Sequence, residues 1–301
     1  MGLIQTVHEE VLERLGRVGL AARHAVESIL QGIHRSIRCG LSVEFAGHRP
    51  YQPGDDIRRL DWMVYGRTDR YSVKVYEEET RLRGTLVVDC SGSMAYGRGY
   101  GQSKLDYARM LAAALGFLMV RQSDAVGLTL VDHDIREEHP PNSTMGHLLA
   151  LLERLEATPA GGETSLANVL DELAERLKRR GLVILISDTF DDVDALIRAL
   201  QHLRYRRQDV RVFQVIDPRE ELFPFRGTYD FIGLEHEPKL RLDGDRVRHH
   251  YRETLAEHRR KLAAGCHANG ITLDTFRTDE DLAMGLVRAL AVRRSAGGAR
   301  A

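Results

Sequence analysis

The apolar residues near the start of the chain recur every three or four positions, as they do along one face of a helix. This apolar stripe comprises Val11, Leu15, Val18, Ala22, Ala25, Ile29 and Ile33. Charged residues occupy much of the opposite face, and Gly40 follows the last apolar position. The pattern predicts a long amphipathic helix that ends before this glycine.

Residues 40–83 show a different pattern. The stretch 45–56 is rich in turn-forming residues, so it favours irregular structure over helix. Residues 71–76 alternate between polar and apolar side chains, which predicts a half-buried strand. Residues 1–83 are therefore expected to form a small amino-terminal module with a helix, an irregular segment and a strand.

From Gly84 onward, short apolar runs alternate with helical patterns. The runs predict strands at 86–88, 126–131, 182–186, 210–216 and 271–276. One helix is expected after the capping box of Ser103 and Asp106, and others near 144–155, 165–179, 193–204, 250–268 and 280–293. This alternation is typical of an α/β fold with a doubly wound, Rossmann-like parallel sheet and right-handed crossovers. The α/β domain is expected over residues 84–293, followed by a disordered tail at 294–301.

Two segments depart from the alternation. Residues 135–138 are expected to pair with the strand at 126–131 as an edge hairpin. Residues 218–249 form a predicted β-rich insertion with short strands at 229–235, 239–242 and 246–248, the last two joined by a hairpin turn at Asp243-Gly244.

Composition narrows the classes of protein. The chain has 301 residues, is 43% hydrophobic and carries a formal net charge of -1. It can therefore bury a sizeable core, and it lacks the basic excess of a nucleic-acid-binding protein. The longest nearly unbroken apolar run, residues 110–120, is well short of the roughly 20 residues that a membrane-spanning helix needs. Cys39, Cys90 and Cys266 lack CxxC spacing, which argues against zinc and fits a reducing compartment. A cytoplasmic protein without a membrane span is expected.

The segment with the most chemical information directly follows the first strand of the predicted sheet. Asp89, Ser91 and Ser93 occupy alternate positions just past the carboxyl end of that strand. Alternate side chains can reach one point in space, and open α/β sheets bind ligands at this edge. Carboxylates and hydroxyls offer only hard oxygen atoms, which suit Mg²⁺ better than zinc or copper.

Two later segments are expected to meet at the same edge. Thr164 follows a pair of glycines just before a helix, and Asp188 comes shortly after the strand at 182–186. With Asp89, Ser91 and Ser93 they would supply two carboxylates and three hydroxyls. That set fits an octahedral ion that keeps some of its water, so these five residues form a predicted site for Mg²⁺, with Mn²⁺ as the alternative.

Three motifs together resemble a known site. Asp-x-Ser-x-Ser at 89–93, Gly-Gly-x-Thr at 161–164 and Ser-Asp at 187–188 are similar to the metal-ion-dependent adhesion site of von Willebrand factor type A domains. The resemblance extends over residues 84–293.

That resemblance implies a role for each residue. Ser91 and Ser93 would bind the ion directly, Thr164 directly or through water, and Asp89 and Asp188 largely through water. Because neutral hydroxyls leave the ion most of its charge, the ion would attract an Asp or Glu carboxylate from a partner protein.

A second resemblance lies upstream. Residues 49–62, RPYQPGDDIRRLDW, and residues 73–79, VKVYEEE, look like the bacterial family called domain of unknown function 58. In that family a type A domain follows such a module, and members are typically encoded beside MoxR-type AAA+ ATPases. The resemblance implies a non-enzymatic, metal-dependent protein-binding module that works with a MoxR-type ATPase in assembling or remodelling a client complex.

Two other functions stay open at this point. A metal-dependent hydrolase would use ion-activated water, although no histidine falls within the three motif segments. A scaffold would carry a vestigial metal site and bind its partners elsewhere.

Several nearby residues have simpler interpretations. Cys90 is expected to be a buried, inert thiol that points away from the ion. Asp132-His133-Asp134 is expected to form a hairpin turn, and Asp191 and Asp192 to cap the next helix. The segment 49–62 is interpreted as a structural strap whose charged residues pair around Trp62.

Overall fold

The computed structural model describes residues 45–51, 62–68, 70–76, 82–97, 101–235 and 239–291. These residues fall into two compact units, one within residues 31–81 and one from residue 82 onward. The predicted helix over 11–33, the predicted tail at 294–301 and most of the charged residues expected around Trp62 lie outside the described residues.

The smaller unit contains β1 (Phe45–Pro50), α1 (Trp62–Thr68) and β2 (Ser72–Tyr76). The two strands pair antiparallel, with a register shift near Gly47. The ring of Tyr71 stacks on that of Tyr65 at a centroid distance of 4.5 Å. The predicted strand at 71–76 is confirmed. β1 departs from the irregular structure predicted for residues 45–56, and α1 lies beyond that stretch, where no element was predicted. β1 has a shifted register and ends at Pro50. A strand with so many turn-forming residues lacks the alternation from which a strand is predicted.

The larger unit alternates strands and helices as predicted. In chain order it contains β3 (Arg83–Asp89), α2 (Lys104–Arg121), β4 (Ala125–Val131), β5 (Ile135–Asn142), α3 (Met145–Ala157), α4 (Leu166–Arg176), β6 (Leu182–Ser187), α5 (Val193–Tyr205), β7 (Asp209–Ile216), α6 (Pro218–Leu222), β8 (Thr228–Phe231), β9 (Leu240–Asp243), α7 (Gly244–Ala268), β10 (Thr272–Arg277) and α8 (Leu282–Ala291).

A six-stranded sheet in the order β10-β7-β6-β3-β4-β5 forms the centre of this unit. Every pairing is parallel except that of β5, which runs antiparallel at one edge. The chain builds outward from β3 to β5, then returns to β6 on the other side of β3 and builds outward to β10. The order therefore switches direction between β3 and β6, which is where doubly wound sheets bind ligands. The predicted fold class and the edge hairpin of β5 are confirmed.

Helices cover both faces of the sheet. On one face Leu86 and Val88 of β3 belong to a buried cluster with residues of α2, α3 and α8. On the other face Val87 packs in a cluster with α4, α5 and α7. Each buried aliphatic side chain contributes roughly 1.5–3 kcal/mol, so the strand ends that carry the polar motifs are held by two dense layers.

Two predicted helix starts are confirmed by side chains that cap the first turn of the helix. The Ser103 side chain accepts a hydrogen bond from the Asp106 N–H, and the Asp106 carboxylate accepts one from the Ser103 N–H. Asp192 caps α5 by accepting from the Ala195 N–H at 2.7 Å. Its neighbour Asp191 instead accepts from Ala167 N–H at 3.0 Å, in the first turn of α4, so its predicted capping role in α5 is wrong.

The insertion is less β-rich than predicted. The strand expected at 229–235 ends at Phe231, and β8 and β9 pair antiparallel over four residues each. The strand expected at 246–248 and the hairpin at Asp243-Gly244 are wrong, because α7 begins at Gly244. Asp243 caps this helix by accepting from Asp245 N–H, and a Cβ on Gly244 would lie 2.5 Å from the carbonyl oxygen of Phe225. The glycine thus permits a close approach between segments, and Asp-Gly here marks a helix start.

Within the part of the chain that the structure describes, no helix is both long and apolar enough to cross a bilayer.

Candidate metal centre at the switch point of the sheet

The five predicted site residues lie at the carboxyl edge of the sheet. Asp89 is the last residue of β3, and Ser91 and Ser93 follow it into a short 3₁₀ helix. Asp188 directly follows β6, the parallel neighbour of β3. Thr164 precedes α4, in a loop that two backbone hydrogen bonds join to the first segment: Gly161 N–H to Cys90 O at 2.9 Å, and Gly92 N–H to Gly162 O at 3.0 Å.

The Asp89 carboxylate is buried at the centre of this site. Its Oδ1 accepts a hydrogen bond from the Ser91 N–H at 2.9 Å, and its Oδ2 accepts from the Ser187 hydroxyl at 2.6 Å. Within the described residues it makes no ion pair. Burial, together with the nearby charge of Asp188, raises the pKa of Asp89 to about 6. A cation bound beside Asp89 would stabilise the ionised form of this carboxyl.

The two serine hydroxyls point at each other. Ser91 Oγ and Ser93 Oγ are 3.1 Å apart. Adjacent ligands of an octahedral Mg²⁺ with bonds of about 2.0–2.1 Å are separated by about 2.9–3.0 Å. The serine pair therefore has nearly the spacing that two neighbouring inner ligands of this ion would have.

Thr164 and Ser93 both contact a residue that the sequence did not suggest, Glu235. One carboxylate oxygen of Glu235 accepts from the Thr164 hydroxyl at 2.6 Å and from the Ser93 N–H at 2.9 Å. The other accepts from the Thr164 N–H at 2.8 Å. Glu235 lies in the connection between β8 and β9, so the insertion reaches the site.

Asp188 contacts a second unexpected residue, Lys104, the first residue of α2. The Lys104 ammonium, fully buried, lies 2.7 Å from Asp188 Oδ2 and 2.6 Å from Glu220 Oε1. Burial alone would lower the pKa of Lys104, but the charges of Asp188 and Glu220 outweigh it and raise the pKa above its ordinary value. The other oxygen of Asp188 accepts from the Phe190 N–H at 3.1 Å. Lys104 thus neutralises part of the acidic charge at this edge.

The donor set is compatible with a hard divalent cation. No group of three or more His, Cys, Asp or Glu side chains arranged to hold a metal occurs in the described residues, so the candidate depends on hydroxyl oxygens. Of the carboxylates at this edge, Asp188 and Glu220 pair with the Lys104 ammonium, whereas the described hydrogen bonds of Asp89 come from Ser91 and Ser187. Because each carboxylate oxygen has two lone pairs, Asp89 and Asp188 can still accept from metal-bound water.

The neighbouring turn supports the loop of Thr164. The predicted turn at 132–134 is confirmed, since it connects the antiparallel strands β4 and β5. Asp132 is buried and pairs with Arg136 at 2.5 Å. Arg136 in turn donates to the carbonyl oxygens of Pro159 and Gly161. This ion pair holds the glycine loop against the hairpin, a role that no local pattern predicts.

Cys90 belongs to the core cluster, as predicted. It is buried, its Sγ lies 3.7 Å from the Val88 carbonyl oxygen, and burial raises the pKa of the thiol to about 12.

The sheet order, the helices on both faces and the grouping of these loops at the switch point define a von Willebrand factor type A-like α/β domain. The family described as "Protein of unknown function DUF58" matches residues 47–261, and the chain belongs to this family. Fold alone does not set function.

The chain is similar to several known proteins and solved structures. An uncharacterized protein of Mycobacterium tuberculosis (strain ATCC 25618 / H37Rv) is 29% identical over 286 residues, which cover 91% of this chain and 87% of that protein. An aerotolerance-related membrane protein from Bacteroides fragilis is similar with a TM-score of 0.46 and 16% identity, over 70% of this chain and 98% of that chain. The VWA domain of SpRpn10 is similar with a TM-score of 0.42 and 12% identity, over 69% and 95% of the two chains. At these identities the structural likeness concerns the fold alone.

The predicted cytoplasmic location is contradicted by these comparisons. The Bacteroides fragilis protein, and a further structural neighbour from Vibrio fischeri, are described as membrane proteins. The prediction rested mainly on the lack of a long apolar run, and that absence does not determine where a domain of this fold resides. The cytoplasmic assignment is therefore withdrawn.

Proposed function

We propose that this protein is a non-enzymatic binding module that uses a divalent cation, Mg²⁺ or Mn²⁺, to hold an acidic side chain of a partner protein. The observation that carries the proposal is the combination of a buried Asp89 carboxyl, without an ion-pair partner in the described residues, and two serine hydroxyls 3.1 Å apart beside it. Burial of the Asp89 charge is costly without a cation beside it, and both groups offer the hard oxygen atoms that a divalent cation prefers.

The chain's own residues divide into three roles. Ser91 and Ser93 would hold the ion directly, and Thr164 directly or through water. Asp89 and Asp188 would orient its water molecules, as outer-shell carboxylates generally do. A bound ion would supply a Lewis-acidic position that attracts a carboxylate oxygen.

Fixed donors around the site would orient that carboxylate. Thr164 N–H, the Thr164 hydroxyl and Ser93 N–H already converge on a carboxylate in this structure. Hydrogen bonds to an ionised acceptor are roughly twice as strong as neutral ones, so these three donors favour an acid over an amide. Lys104 would limit the repulsion between that acid and Asp188.

The proposed partners are a MoxR-type AAA+ ATPase and a client protein that offers an Asp or Glu carboxylate. The ATPase comes from the family resemblance of residues 49–62 and 73–79, and the client's carboxylate comes from the open ligand position of an ion held mainly by neutral hydroxyls. The module would help the ATPase assemble or remodel the client complex.

A titration of the full chain against a MoxR-type ATPase tests this function. We expect the affinity in excess Mg²⁺ to fall when a chelator is added. Ser93→Ala and Thr164→Ala should each weaken binding at least about 10-fold at sub-saturating Mg²⁺, in line with the loss of one metal-site contact.

Ser165→Ala is the matched control, because it removes a hydroxyl one residue away whose described bond is to Asn168. It should bind like the wild type. An affinity that ignores both the chelator and the two site variants would contradict the proposal.

A further inference from the structure

The carboxylate that contacts the candidate metal centre comes from the chain itself. Glu235 uses both oxygens, and it accepts three hydrogen bonds of 2.6–2.9 Å from two separate loops of the site. Its partner Ser93 is 142 residues away in sequence. A surface glutamate that merely lay nearby would not satisfy three convergent donors, so this position selects a carboxylate.

The backbone that carries Glu235 lies directly on the loop that holds Ser91 and Ser93, here called the serine loop. A Cβ on Gly92 would overlap the carbonyl oxygen of Leu234 and would lie 2.9 Å from its carbonyl carbon. Only a glycine at position 92 lets the two backbones approach this closely. The segment 232–235 is thus seated in the site by main chain as well as by its acidic side chain.

The apolar side chains of this segment are largely exposed. Ile232 is 71% exposed and Leu234 is 47% exposed, so neither adds much apolar burial. The base of the hairpin is firmly attached, because Arg248 of α7 donates to the carbonyl oxygens of Phe223 and Phe225. The rings of Phe223 and Phe231 also stack, with centroids 5.7 Å apart. The base of the hairpin is anchored, whereas its tip, residues 232–235, is fixed mainly by polar contacts. The tip can therefore leave the site without unfolding the domain.

We propose that Glu235 occupies, in the unbound protein, the position that binds a partner's carboxylate, and that the partner is an acidic protein segment which replaces residues 232–235. This inference rests on the proposed function for the location of the binding site. It adds the kind of partner that binds there and names Glu235 as the group that competes with that partner. The segment 232–235 shows what such a partner would present to the site. It would offer a Glu that follows a Leu in irregular backbone, and its carboxylate would accept hydrogen bonds from Thr164 and Ser93.

The replacement sets the apparent affinity. A partner that can bind only when the tip is out has its dissociation constant divided by the fraction of open molecules. Removing the Glu235 charge raises that fraction, so the affinity for an acidic segment must increase. The intact protein would therefore bind tightly only to partners that outcompete its own glutamate.

The test uses a peptide with blocked ends and the sequence of residues 231–236, FIGLEH, whose only carboxylate is the Glu side chain. Its binding to the full-length wild type and to Glu235→Gln is measured in Mg²⁺ by fluorescence anisotropy. We expect Glu235→Gln to bind the peptide about 10-fold tighter or more than the wild type. The peptide with Gln in place of Glu should bind to neither.

Glu163→Gln is the matched control, because Glu163 is an exposed acid next to Thr164 in the same loop. It removes the same charge and should leave peptide affinity at the wild-type level. Equal affinities of the wild type and Glu235→Gln, or no binding of the peptide to Glu235→Gln, would overturn the inference.

Two further readouts separate this inference from the proposed function. On peptide binding, amide hydrogen exchange in residues 228–243 of the wild type should speed up as the tip is released, and unchanged exchange would count against replacement. If Glu235→Gln binds more tightly but a chelator has no effect, the inference stands and the metal-dependent function falls. If binding needs the metal and Thr164 but ignores the Glu235 change, the function stands and the inference falls.

Discussion

The buried half and the exposed half of the candidate site are held by different forces. The buried half consists of Asp89, Ser91, Lys104 and Asp188, all with almost no solvent exposure. The exposed half is the segment 232–235, whose Ile232 side chain is mostly in water. Ions and dipoles in the buried half interact at low dielectric, where each lost partner is costly. In the exposed half, water can replace any lost contact.

Because of this difference, the buried half serves as a fixed framework and the exposed half is the part that can be exchanged. The buried half keeps its geometry because Lys104 and the cores on both faces of the sheet fix the ends of β3 and β6. The exposed half can exchange because its polar contacts with Thr164 and Ser93 compete with water. A binding module needs both properties, since a rigid receptor limits the cost of ordering and a displaceable occupant leaves room for a partner.

The largest expected effect comes from removing the buried ammonium. Lys104→Met leaves Asp188 and Glu220 buried without their shared cation, 2.7 and 2.6 Å from the lost charge. Breaking such a buried pair costs about 3–5 kcal/mol. Denaturant unfolding of the full chain should show this loss in the free energy of unfolding.

Lys178→Met is the control, because Lys178 is exposed and its loss should be nearly neutral. Adding Glu220→Gln to Lys104→Met should restore part of the stability. A loss below about 1 kcal/mol for Lys104→Met would mean that the buried half is not fixed by charge pairing.

A smaller effect is expected from metal addition. If Asp89 helps to hold a cation, Mg²⁺ at about 100 times its dissociation constant should stabilise the wild type by about 2.7 kcal/mol. Asp89→Asn should lose most of this gain, while its stability in chelator stays near that of the wild type because the buried charge beside Asp188 is gone. Thermal unfolding with and without Mg²⁺ measures both.

Asp134→Asn controls for general salt effects, since its side chain is 74% exposed in the nearby hairpin turn. It should keep the full response to Mg²⁺. The same response in Asp89→Asn as in the wild type would place the cation elsewhere.

The parts of the site that the sequence predicts are those encoded locally. Asp89 and Asp188 follow apolar runs that are strands on length and composition alone, and parallel strands place their carboxyl ends at one edge. The motif spacing then assigns Ser91, Ser93 and Thr164. The order of elements likewise predicts the doubly wound sheet, because consecutive strand and helix patterns permit few topologies.

The parts that the sequence does not predict depend on distant contacts. Lys104 stands next to the cap Ser103, where a lysine is ordinarily in solvent, and its partner Glu220 is 116 residues away. Glu235 lies beyond the end of a strand that pattern analysis extends too far. Asp243-Gly244 has the local signature of a hairpin, but the close approach of Phe225 makes it a helix start. No window of sequence contains these long-range causes.

The smallest expected effect on stability tests the exposed half directly. In Gly92→Ala the new methyl group would overlap the carbonyl of Leu234, so one of the two backbones must move. Overpacking in a dense core costs about 1–3 kcal/mol, but here the segment 232–235 can lift into water, and we expect a loss of about 1 kcal/mol or less. Amide hydrogen exchange in residues 228–243 should rise, while exchange in β3 and β6 stays at the wild-type level. Gly146→Ala, where a Cβ has open space in α3, should change neither. If Gly92→Ala instead destabilised β3 and left 228–243 protected, the serine loop would be the movable half, and the assignment of framework and occupant would have to be reversed.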